Sequence, residues 1–252
     1  MKGIVFAAGI GSRLKPFTDS HPKALAMIGE RSLLEIVIDR MVSAGVDSIV
    51  VNAHHFAEQI FSFVRNRSFG VPVEISDESA LLLDTAGAIA KIERDTSLLK
   101  NVPDNEPVLI HNSDILTDFP ISEMLGQHVA SQADATLLVD PQRKSTRGFL
   151  FDSSGRLCAW HNSTTGDTIP EGTDISTLNQ AAFGGVHILR AKTVRLISHS
   201  LPARLEPAGI TPFYAGNAAQ LDIRGFAPAL PYKWFDIGTP QKLENARRGF
   251  YQ

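Results

Sequence analysis

The sequence has a single cysteine in 252 residues, no long apolar run and no marked excess of either charge. One cysteine, Cys158, excludes an internal disulfide and a cysteine-rich metal site. No apolar run reaches the roughly 18 residues that a membrane-spanning helix needs, and no membrane partner is expected. The first apolar run is interrupted at once by Gly9, Gly11 and Arg13, which is atypical of a secretion signal. We therefore expect a cytoplasmic protein.

Charge and composition narrow the class further. Lys and Arg number 24 against 27 Asp and Glu, which gives a net charge of −3. Proteins that bind nucleic acid without sequence preference usually carry a basic excess, so no nucleic-acid partner is expected. With 43% hydrophobic and 20% charged residues, the chain has the composition of a globular protein with a full core. Its length suits one α/β domain better than two small ones.

Short apolar runs in the first half of the chain predict buried strands at 3–8, 48–51, 72–75 and 108–111. Between the first two, Ser32 and Glu35 have the spacing of a capping box at the start of a helix. Apolar residues at helical spacing predict a second helix around 56–64, and small residues predict another from residue 85. This alternation predicts an α/β fold with an open, largely parallel sheet.

The second half of the chain has a different residue pattern from the first. A hairpin is predicted at 148–152 and 156–160, strands at 182–189 and 232–237, and a helix over 211–219. The final helix is expected to have Thr239 as its N-cap and Pro240 at its first position. The polar segment 162–177 is predicted to be a loop, and we hypothesise that it closes over substrate as a lid. No repeat or linker divides the chain, so a single domain is expected.

The segment after the first predicted strand is the most informative for chemistry. Gly9 and Gly11 allow backbone N–H groups to approach phosphate oxygens closely, and Arg13 and Lys23 add two cations. The dinucleotide fingerprint fails because Leu14 stands at its third glycine, and the Gly-Lys-Ser/Thr of a Walker A loop is absent. Spacing alone leaves phosphate binding and solvated surface cations equally open.

Five segments together resemble the signature of the sugar-1-phosphate nucleotidyltransferases, also called nucleoside-diphosphate-sugar pyrophosphorylases. They lie at 7–18, 22–25, 83–87, 111–114 and 234–240, and so extend over the whole chain. Within that family the sequence is most similar to the short N-acetylmuramate-1-phosphate uridylyltransferases and the mannose-1-phosphate guanylyltransferase-like proteins.

The resemblance implies a fold and a reaction. The fold would be a single-domain, Rossmann-like (GT-A-like) three-layer α/β/α sandwich with a mixed, mostly parallel central sheet. Residues 1–120 would mainly bind the nucleotide, and residues 121–252 would mainly bind the sugar phosphate and supply a second metal ligand. In the family reaction, a sugar-1-phosphate attacks the α-phosphorus of a nucleoside triphosphate, which yields an NDP-sugar and pyrophosphate.

The resemblance also implies roles for individual residues. Arg13 would hold the departing pyrophosphate, and Lys23 would neutralise the charge that develops around the α-phosphate. Asp114 and Asp236 would hold the cofactor, a Mg²⁺ ion, together with substrate phosphates. The nucleotide-binding residues would be Ala8, Gly9, Gly11, Ser12, Asp84, Gly87 and Asn112, and the sugar-phosphate-binding residues would be Gly148, Asn162, Asn179 and Gly184.

Base and sugar identity stay open at this point. Uracil is the preferred base, with guanine and thymine as alternatives. Asp84, Ala86 and Ala88 depart from the Glu-Thr-Gly-Gly-Gly pattern of related enzymes, so the resemblance does not fix which side chains recognise the base. The alternative sugars include mannose, heptose and glucose, and neither monomer nor dimer is favoured.

Two other functions are compatible with the same fold. A glycosyltransferase would carry an Asp-x-Asp motif after the fourth strand, whereas Asp114 stands alone between Ser113 and Ile115. A non-catalytic nucleotide-sugar sensor could lose the charged residues that catalysis needs. All four charged residues of the signature are present here, namely Arg13, Lys23, Asp114 and Asp236. Both observations favour catalysis of nucleotidyl transfer.

Overall fold

Strands and helices alternate along the first half of the chain in a computed structural model that describes all residues from 1 to 252. The strands are β1 (Lys2–Phe6), β2 (Met27–Ile28), β3 (Arg31–Ser32), β4 (Ser48–Ala53), β5 (Val73–Asp77), β6 (Pro107–Asn112), β7 (Ile115–Thr117), β8 (Ala135–Asp140), β9 (Arg147–Phe151), β10 (Leu157–Asn162), β11 (Thr168–Ile169), β12 (Asn179–Arg190), β13 (Ile223–Phe226) and β14 (Trp234–Asp236). The helices are α1 (Leu33–Ser43), α2 (Ala57–Arg65), α3 (Asp84–Asp95), α4 (Ile121–Ser131), α5 (Ala191–Ser200), α6 (Ile210–Gly216) and α7 (Pro240–Gly249).

Ten strands form one mixed sheet in the order β11-β10-β9-β12-β6-β1-β4-β5, with β8 pairing to β12 and β13 to β8. The strands β5, β4, β1 and β6 are parallel, whereas β12 runs antiparallel to β6, β8 and β9. Successive side chains of a strand point to opposite faces, and in β1 the buried Ile4 and Val5 therefore enter two different cores.

Helices cover both faces of this sheet. One core contains side chains of α3, α5 and α6, and the other contains side chains of α1, α2 and α4. A third, smaller core joins α7 to α1 and to the two-stranded β7–β14 ribbon, with Leu116, Ile237 and Leu243 buried in it. The expected α/β/α sandwich with a mixed central sheet is confirmed. No helix combines the length and the apolar character needed to cross a membrane.

Local capping signals in the sequence correspond to caps in the structure. The Ser32 hydroxyl accepts a hydrogen bond from the Glu35 backbone N–H at 3.2 Å, and α1 begins at the next residue. The Thr239 hydroxyl accepts one from the Lys242 backbone N–H at 3.3 Å, with Pro240 at the first position of α7. Both helix starts predicted from capping patterns are confirmed.

The strand predicted at 182–189 is longer in the structure, where β12 runs from Asn179 to Arg190. The register of its pairing with β8 shifts between Phe183 and His187, and Gly185 lies there at a φ of +76°. A β-bulge bends a strand, and the bend allows β12 to pair with β9 at one end and with β6 at the other. The polar segment 162–177 is mostly irregular as expected, but it includes β11.

Candidate functional site

The carboxyl ends of three parallel strands meet at one edge of the sheet, where the loops that follow them are joined by hydrogen bonds. After β1, the Ala7 backbone N–H donates to Asn52 Oδ1 of β4 at 2.7 Å. After β6, the Ser113 backbone N–H donates to the Phe6 carbonyl at 3.0 Å. Ligands of open α/β sheets bind at such strand ends, so this edge is the first place to search for a site.

A cavity of about 470 Å³ opens at these strand ends, and we call it the strand-end cavity. It is lined by Phe6, Ala7, Ala8, Gly9, Lys23, Asn52, Glu78, Leu82, Asp84, Thr85, Asn112, Ser113, Asp114 and Pro207. The structure thus brings together four of the expected nucleotide-binding residues, Ala8, Gly9, Asp84 and Asn112, around one space.

The loop after β1 turns sharply at Gly11, whose φ of +67° lies in the left-handed region. The Gly11 carbonyl accepts hydrogen bonds from the Leu14 backbone N–H and the Thr18 hydroxyl, each at 2.8 Å. A Cβ at Gly11 would lie 2.9 Å from Thr18 Cγ2 and 3.1 Å from Lys23 Cβ. Glycine is therefore needed here both for backbone conformation and for the close approach of the Lys23 side chain.

We expect Gly11→Ala to lower the free energy of unfolding by about 1–3 kcal/mol, because it adds backbone strain and a clash. Gly9→Ala is the matched control, because a Cβ at Gly9 meets nothing within 4 Å and should change stability by less than about 0.5 kcal/mol. Denaturant unfolding of the two variants measures the difference. Equal stability of both would contradict the requirement for glycine at position 11.

Lys23 is held at the mouth of the strand-end cavity by a short 3-10 turn over Lys23–Leu25, in which Ala24 is fully buried. Its side chain is mostly buried, and its Nζ lies 2.5 Å from Asp114 Oδ2. Asp114 is the second residue after β6, so the ion pair joins the turn that carries Lys23 to the segment that follows the strand. The two residues expected to neutralise charge and to bind metal are therefore neighbours.

Asp236 lies next to Asp114 because β14 pairs with β7. Asp236 stands opposite Ile115 in that ribbon, and the Ile237 backbone N–H donates to the Asp114 carbonyl at 2.9 Å. Asp236 Oδ2 lies 2.5 Å from Nζ of Lys242 in α7. The exposed Arg13 side chain also comes close to Asp236, since both lie beside Gly238. A Cβ built on that glycine would be 3.4 Å from Arg13 Nη2 and 3.2 Å from Asp236 Oδ1.

The two aspartates suit a metal ion whose coordination is completed by oxygen atoms of the substrate. Their carboxylate oxygens are hard ligands of the type that Mg²⁺ prefers, and both side chains are partly exposed to the cavities. No group of three or more His, Cys, Asp or Glu side chains is placed to hold a metal. The protein could therefore contribute two ligands, and phosphate oxygens would supply others.

A second cavity, of about 620 Å³, is lined in part by Asp236, and we call it the basic cavity. It is lined by Arg143, Lys144, Ser145, Arg147, Gly148, Phe149, Trp160, Ile169, Ala182, Phe183, Thr211, Pro212, Trp234, Asp236 and Lys242. Four cations and one carboxylate therefore face it, and four aromatic rings contribute to its wall. Ile169, from the segment predicted to be a lid, is part of its lining; closure of that segment stays a prediction.

Of the expected sugar-binding residues, Gly148 alone lines the basic cavity. A Cβ there would lie 2.7 Å from Gln180 Cγ and 2.9 Å from the Ala181 carbonyl, so the close approach of β12 requires glycine. Asn162 is buried and its Oδ1 accepts a hydrogen bond from the Thr164 N–H at 3.1 Å. Asn179 is exposed at the start of β12.

Three other expected site residues, Gly184, Gly87 and Ser12, line neither cavity. The Gly184 carbonyl accepts a hydrogen bond from Trp234 Nε1 at 2.9 Å and so fixes that ring in the wall of the basic cavity. A Cβ on Gly87 would lie 3.0 Å from the Glu206 carbonyl, because α3 packs against that loop. Ser12 is exposed at the start of a 3-10 turn, beside Gly11. Ligand contacts by these residues stay predictions.

Several residues of the site carried no expectation from the sequence. Glu78 is 2% exposed and lines the strand-end cavity, where Oε1 accepts from Asn52 Nδ2 at 2.8 Å and Oε2 from the Leu83 N–H at 3.2 Å. Burial raises the pKa of Glu78, against the effect of these hydrogen bonds. Nothing in the sequence distinguishes Lys242 from a solvated lysine on a terminal helix. It reaches Asp236 because α7 packs beside β14.

Comparison with known proteins gives a consistent assignment. Residues 2–149 match the family model described as "Nucleotidyl transferase", a range that includes Lys23 and Asp114 and excludes Asp236. The chain is 28% identical over 246 residues to an N-acetylmuramate alpha-1-phosphate uridylyltransferase of Caulobacter vibrioides, which covers 94% of this chain and 92% of that protein.

A second relative is a mannose-1-phosphate guanyltransferase of Gibberella zeae, 33% identical over 245 residues, or 96% of this chain. The chain spans 62% of the length of that guanyltransferase. Among solved structures, a protein described as a glucose-1-phosphate thymidylyltransferase from Bacillus anthracis superposes with a TM-score of 0.74 at 18% identity, over 98% of this chain and 94% of that one. This last likeness concerns the fold alone.

Proposed function

The chain belongs to the nucleotidyl transferase family, and on that premise we propose that it condenses a sugar-1-phosphate with a nucleoside triphosphate to give an NDP-sugar and pyrophosphate. The observation that carries this proposal is that two cavities are each lined by one of two aspartates that lie close together in the fold. Asp114 lines the strand-end cavity and Asp236 lines the basic cavity, and Asp236 is paired with Ile115, the residue after Asp114. Two substrates, one bound in each cavity, would place their phosphates at the junction formed by these aspartates.

The nucleotide would occupy the strand-end cavity. Backbone groups of the loop from Ala8 to Gly11 would bind its phosphates, since glycine leaves room for close approach of phosphate oxygens. The sugar phosphate would occupy the basic cavity, whose cations oppose its charge and whose aromatic walls offer flat surfaces to a sugar ring. This division agrees with the expected roles of residues 1–120 and 121–252.

Lys23 would carry most of the charge compensation at the reacting centre. Its ammonium group is largely buried beside Asp114, so water screens it weakly and its position costs no reorganisation during the reaction. Arg13 is exposed at the junction, and its planar guanidinium suits the oxygens of the departing pyrophosphate. In-line transfer of this kind depends on positioning and charge neutralisation, and these residues supply both.

Asp114 and Asp236 would hold Mg²⁺ together with substrate phosphates. When bound, the ion supplies positive charge that withdraws electron density from phosphate oxygens. Each aspartate is paired with a lysine through Oδ2, which leaves Oδ1 for the ion.

We favour UTP as the nucleotide and a cytoplasmic location. The relative whose length this chain matches at 92% is named a uridylyltransferase, whereas the guanyltransferase is matched over 62% of its length. A chain with a single cysteine can form no internal disulfide, which agrees with a reducing compartment such as the cytoplasm.

Pyrophosphate release tests the function directly. Purified protein is incubated with UTP, GTP, dTTP or ATP and a panel of sugar-1-phosphates, with Mg²⁺ and with excess chelator. We expect Mg²⁺-dependent release that is greatest with UTP and at least tenfold lower after chelation. Turnover only with GTP would support the proposed reaction but contradict the choice of UTP as the nucleotide. Nucleotide-sugar binding without any turnover would overturn the proposal and support a sensor.

A further inference from the structure

A buried carboxylate lines the strand-end cavity, where the proposed nucleotide would bring its phosphates. Glu78 is the first residue after β5, and it accepts hydrogen bonds from Asn52 Nδ2 at 2.8 Å and from the Leu83 backbone N–H at 3.2 Å. Glu78 is 2% exposed and Asn52 is 3% exposed. A carboxylate repels phosphate, so charge alone disfavours glutamate at this position and another property must account for it.

The hydrogen bonds around Glu78 have an order that a backbone group fixes. The Ala7 backbone N–H can only donate, and it donates to Asn52 Oδ1 at 2.7 Å. Asn52 therefore turns Nδ2, which can also only donate, toward Glu78 Oε1. The Leu83 backbone N–H donates to the other oxygen, Oε2. Both terminal atoms of residue 78 must accept, and an ionised carboxylate is the side chain that meets this requirement.

These hydrogen bonds join two segments that line the strand-end cavity. Ala7 begins the loop after β1 that would bind the nucleotide phosphates. Leu83 immediately precedes Asp84 and Thr85, the first residues of α3, and both of these line the cavity. The strands that lead to the network are neighbours, since β4 pairs with β1 on one side and with β5 on the other. Glu78 thus connects the start of the phosphate loop to the start of α3.

We propose that Glu78 is a positioning residue for the nucleotide, which holds the phosphate loop through Asn52 and the start of α3 through Leu83. This role rests on the function proposed above, and it requires no contact between Glu78 and substrate. A loop that is ordered before binding loses little conformational freedom when the ligand arrives, so the ligand binds more tightly. Loss of the network would leave both segments to be ordered by the nucleotide itself.

The change Glu78→Gln separates positioning from two other roles, because it keeps the shape and removes one acceptor and the charge. An amide N–H must then face either Asn52 Nδ2 or the Leu83 N–H, whichever way the amide is turned. Asn52 cannot turn to relieve this conflict, because its own amide hydrogens would then face the Ala7 N–H. Positioning predicts weaker nucleotide binding, whereas removal of a repelling charge alone predicts tighter binding. A role in stability alone predicts unchanged affinity in the folded variant.

The first experiment is a calorimetric titration of nucleotide with Mg²⁺ and without sugar-1-phosphate, at about pH 8, where carboxyl groups are ionised. It uses whichever of UTP, GTP, dTTP and ATP the parent binds most tightly. We expect Glu78→Gln to raise the dissociation constant by about 10- to 100-fold, because a buried donor loses its charged acceptor. The KM for the sugar-1-phosphate at saturating nucleotide should stay within about threefold of the parent. A dissociation constant within about threefold of the parent, or a lower one, would overturn the inference.

Glu74→Gln is the matched control. Glu74 belongs to β5 and accepts a hydrogen bond from the Ser97 backbone N–H at 3.1 Å, but it lines neither cavity. Its nucleotide dissociation constant should stay within about twofold of the parent. Thermal scans check that each variant is folded. If Glu78→Gln is unfolded, Glu78→Asp replaces it, because this change keeps the charge and moves both acceptors by one carbon; we again expect a loss of about tenfold, and an unchanged dissociation constant would overturn the inference.

The second experiment exchanges the two side-chain types. Asn52→Asp alone makes two carboxylate oxygens face each other, and we expect nucleotide binding to weaken by about tenfold or more. In the double variant Asn52→Asp/Glu78→Gln, the new carboxylate accepts from the Ala7 N–H and from the new amide, whose oxygen accepts from the Leu83 N–H. All hydrogen bonds of the network and its net charge are thereby restored. The double variant should bind nucleotide more tightly than either single variant and within about threefold of the parent. A folded double variant that binds no better than Glu78→Gln would overturn the inference.

The same measurements distinguish this role from the proposed function. A parent that binds nucleotide and releases pyrophosphate, with Glu78 variants that bind as tightly, overturns the role of Glu78 alone. A parent that neither binds nor turns over UTP, GTP, dTTP or ATP overturns both.

Discussion

Replacing Lys23 by glutamine is expected to lower kcat by about 100-fold or more, with a much smaller change in KM for the nucleotide. The ammonium group is held beside Asp114 in the strand-end cavity, where, on the proposed function, charge would develop on the α-phosphate during transfer. An interaction that strengthens in the transition state lowers kcat when it is removed. Steady-state pyrophosphate release over a range of nucleotide concentrations separates the two constants.

Lys15→Gln is the matched control for this experiment. Lys15 belongs to the same loop, but its side chain is 64% exposed and pairs with the exposed Asp19. We expect its kcat to stay within about twofold of the parent, since exposed ion pairs contribute little. A thermal scan of Lys23→Gln checks that loss of the Asp114 ion pair has not unfolded the chain. A folded Lys23→Gln variant with kcat within threefold of the parent would contradict the proposed role.

The second large effect concerns acid stability. Three histidines, His111, His128 and His187, are 2% exposed or less. Burial lowers the pKa of His111 and of His128 to about 4 and that of His187 to about 3. Smaller effects act on each pKa: repulsion from Arg40 on His111, from Arg190 on His128 and from His111 on His187.

The sign follows from the two states of the chain. Above the pKa of an unfolded histidine, about 6.5, both states are neutral and these residues add nothing to the pH dependence. Below it, the unfolded chain binds protons that the folded chain cannot, so the free energy of unfolding falls until the pH reaches the folded pKa values. The window runs from about pH 6.5 down to about 4 for His111 and His128, and to about 3 for His187. Glu78, whose pKa is raised by burial, acts in the opposite sense over part of this range.

We expect the free energy of unfolding to fall by about 2 kcal/mol per histidine, or roughly 6 kcal/mol in total, between pH 7 and pH 5. That is comparable to the whole stability of many domains. Urea unfolding at half-unit steps of pH measures the change. His128→Gln should reduce the slope by about a third below pH 6, and the exposed His199→Gln should retain the parent slope. A flat profile down to pH 5 would contradict the prediction.

The parts of the fold that the sequence predicts best are those in which short-range patterns and tertiary structure agree. The β1, β4 and β6 strands are buried on both faces, so their continuous apolar runs stand out against the glycines and polar residues around them. The start of α1 at Ser32 depends on one side-chain oxygen and one backbone N–H, which lie three residues apart. Such features need no knowledge of distant residues.

Elements that depend on distant contacts were missed. No pattern assigned β8, β13, α4 or α5, and the length of β12 depends on a bulge at Gly185 that pairing with β8 accommodates. In the site, the sequence motifs predict Lys23 and Asp114 but not Lys242 or Arg143. Their chemistry depends on partners contributed by other elements: Asp236 for Lys242, and Trp234 with Phe183 for Arg143.

The long strand β12 limits how this protein could be rebuilt from pieces of its relatives. It belongs to the second half of the chain, yet it pairs with β6 of the first half over residues 186–190 and with β9 over residues 179–181. A chimera joined near residue 120 would take β6 from one protein and β12 from another. The side chains where these two strands pair, at the centre of the sheet, would then be mismatched. Grafting residues 141–147, the loop that carries Arg143, Lys144 and Arg147, leaves the pairing of β12 with β6 unchanged. New substrate preferences are therefore more accessible by loop exchange than by recombination of halves.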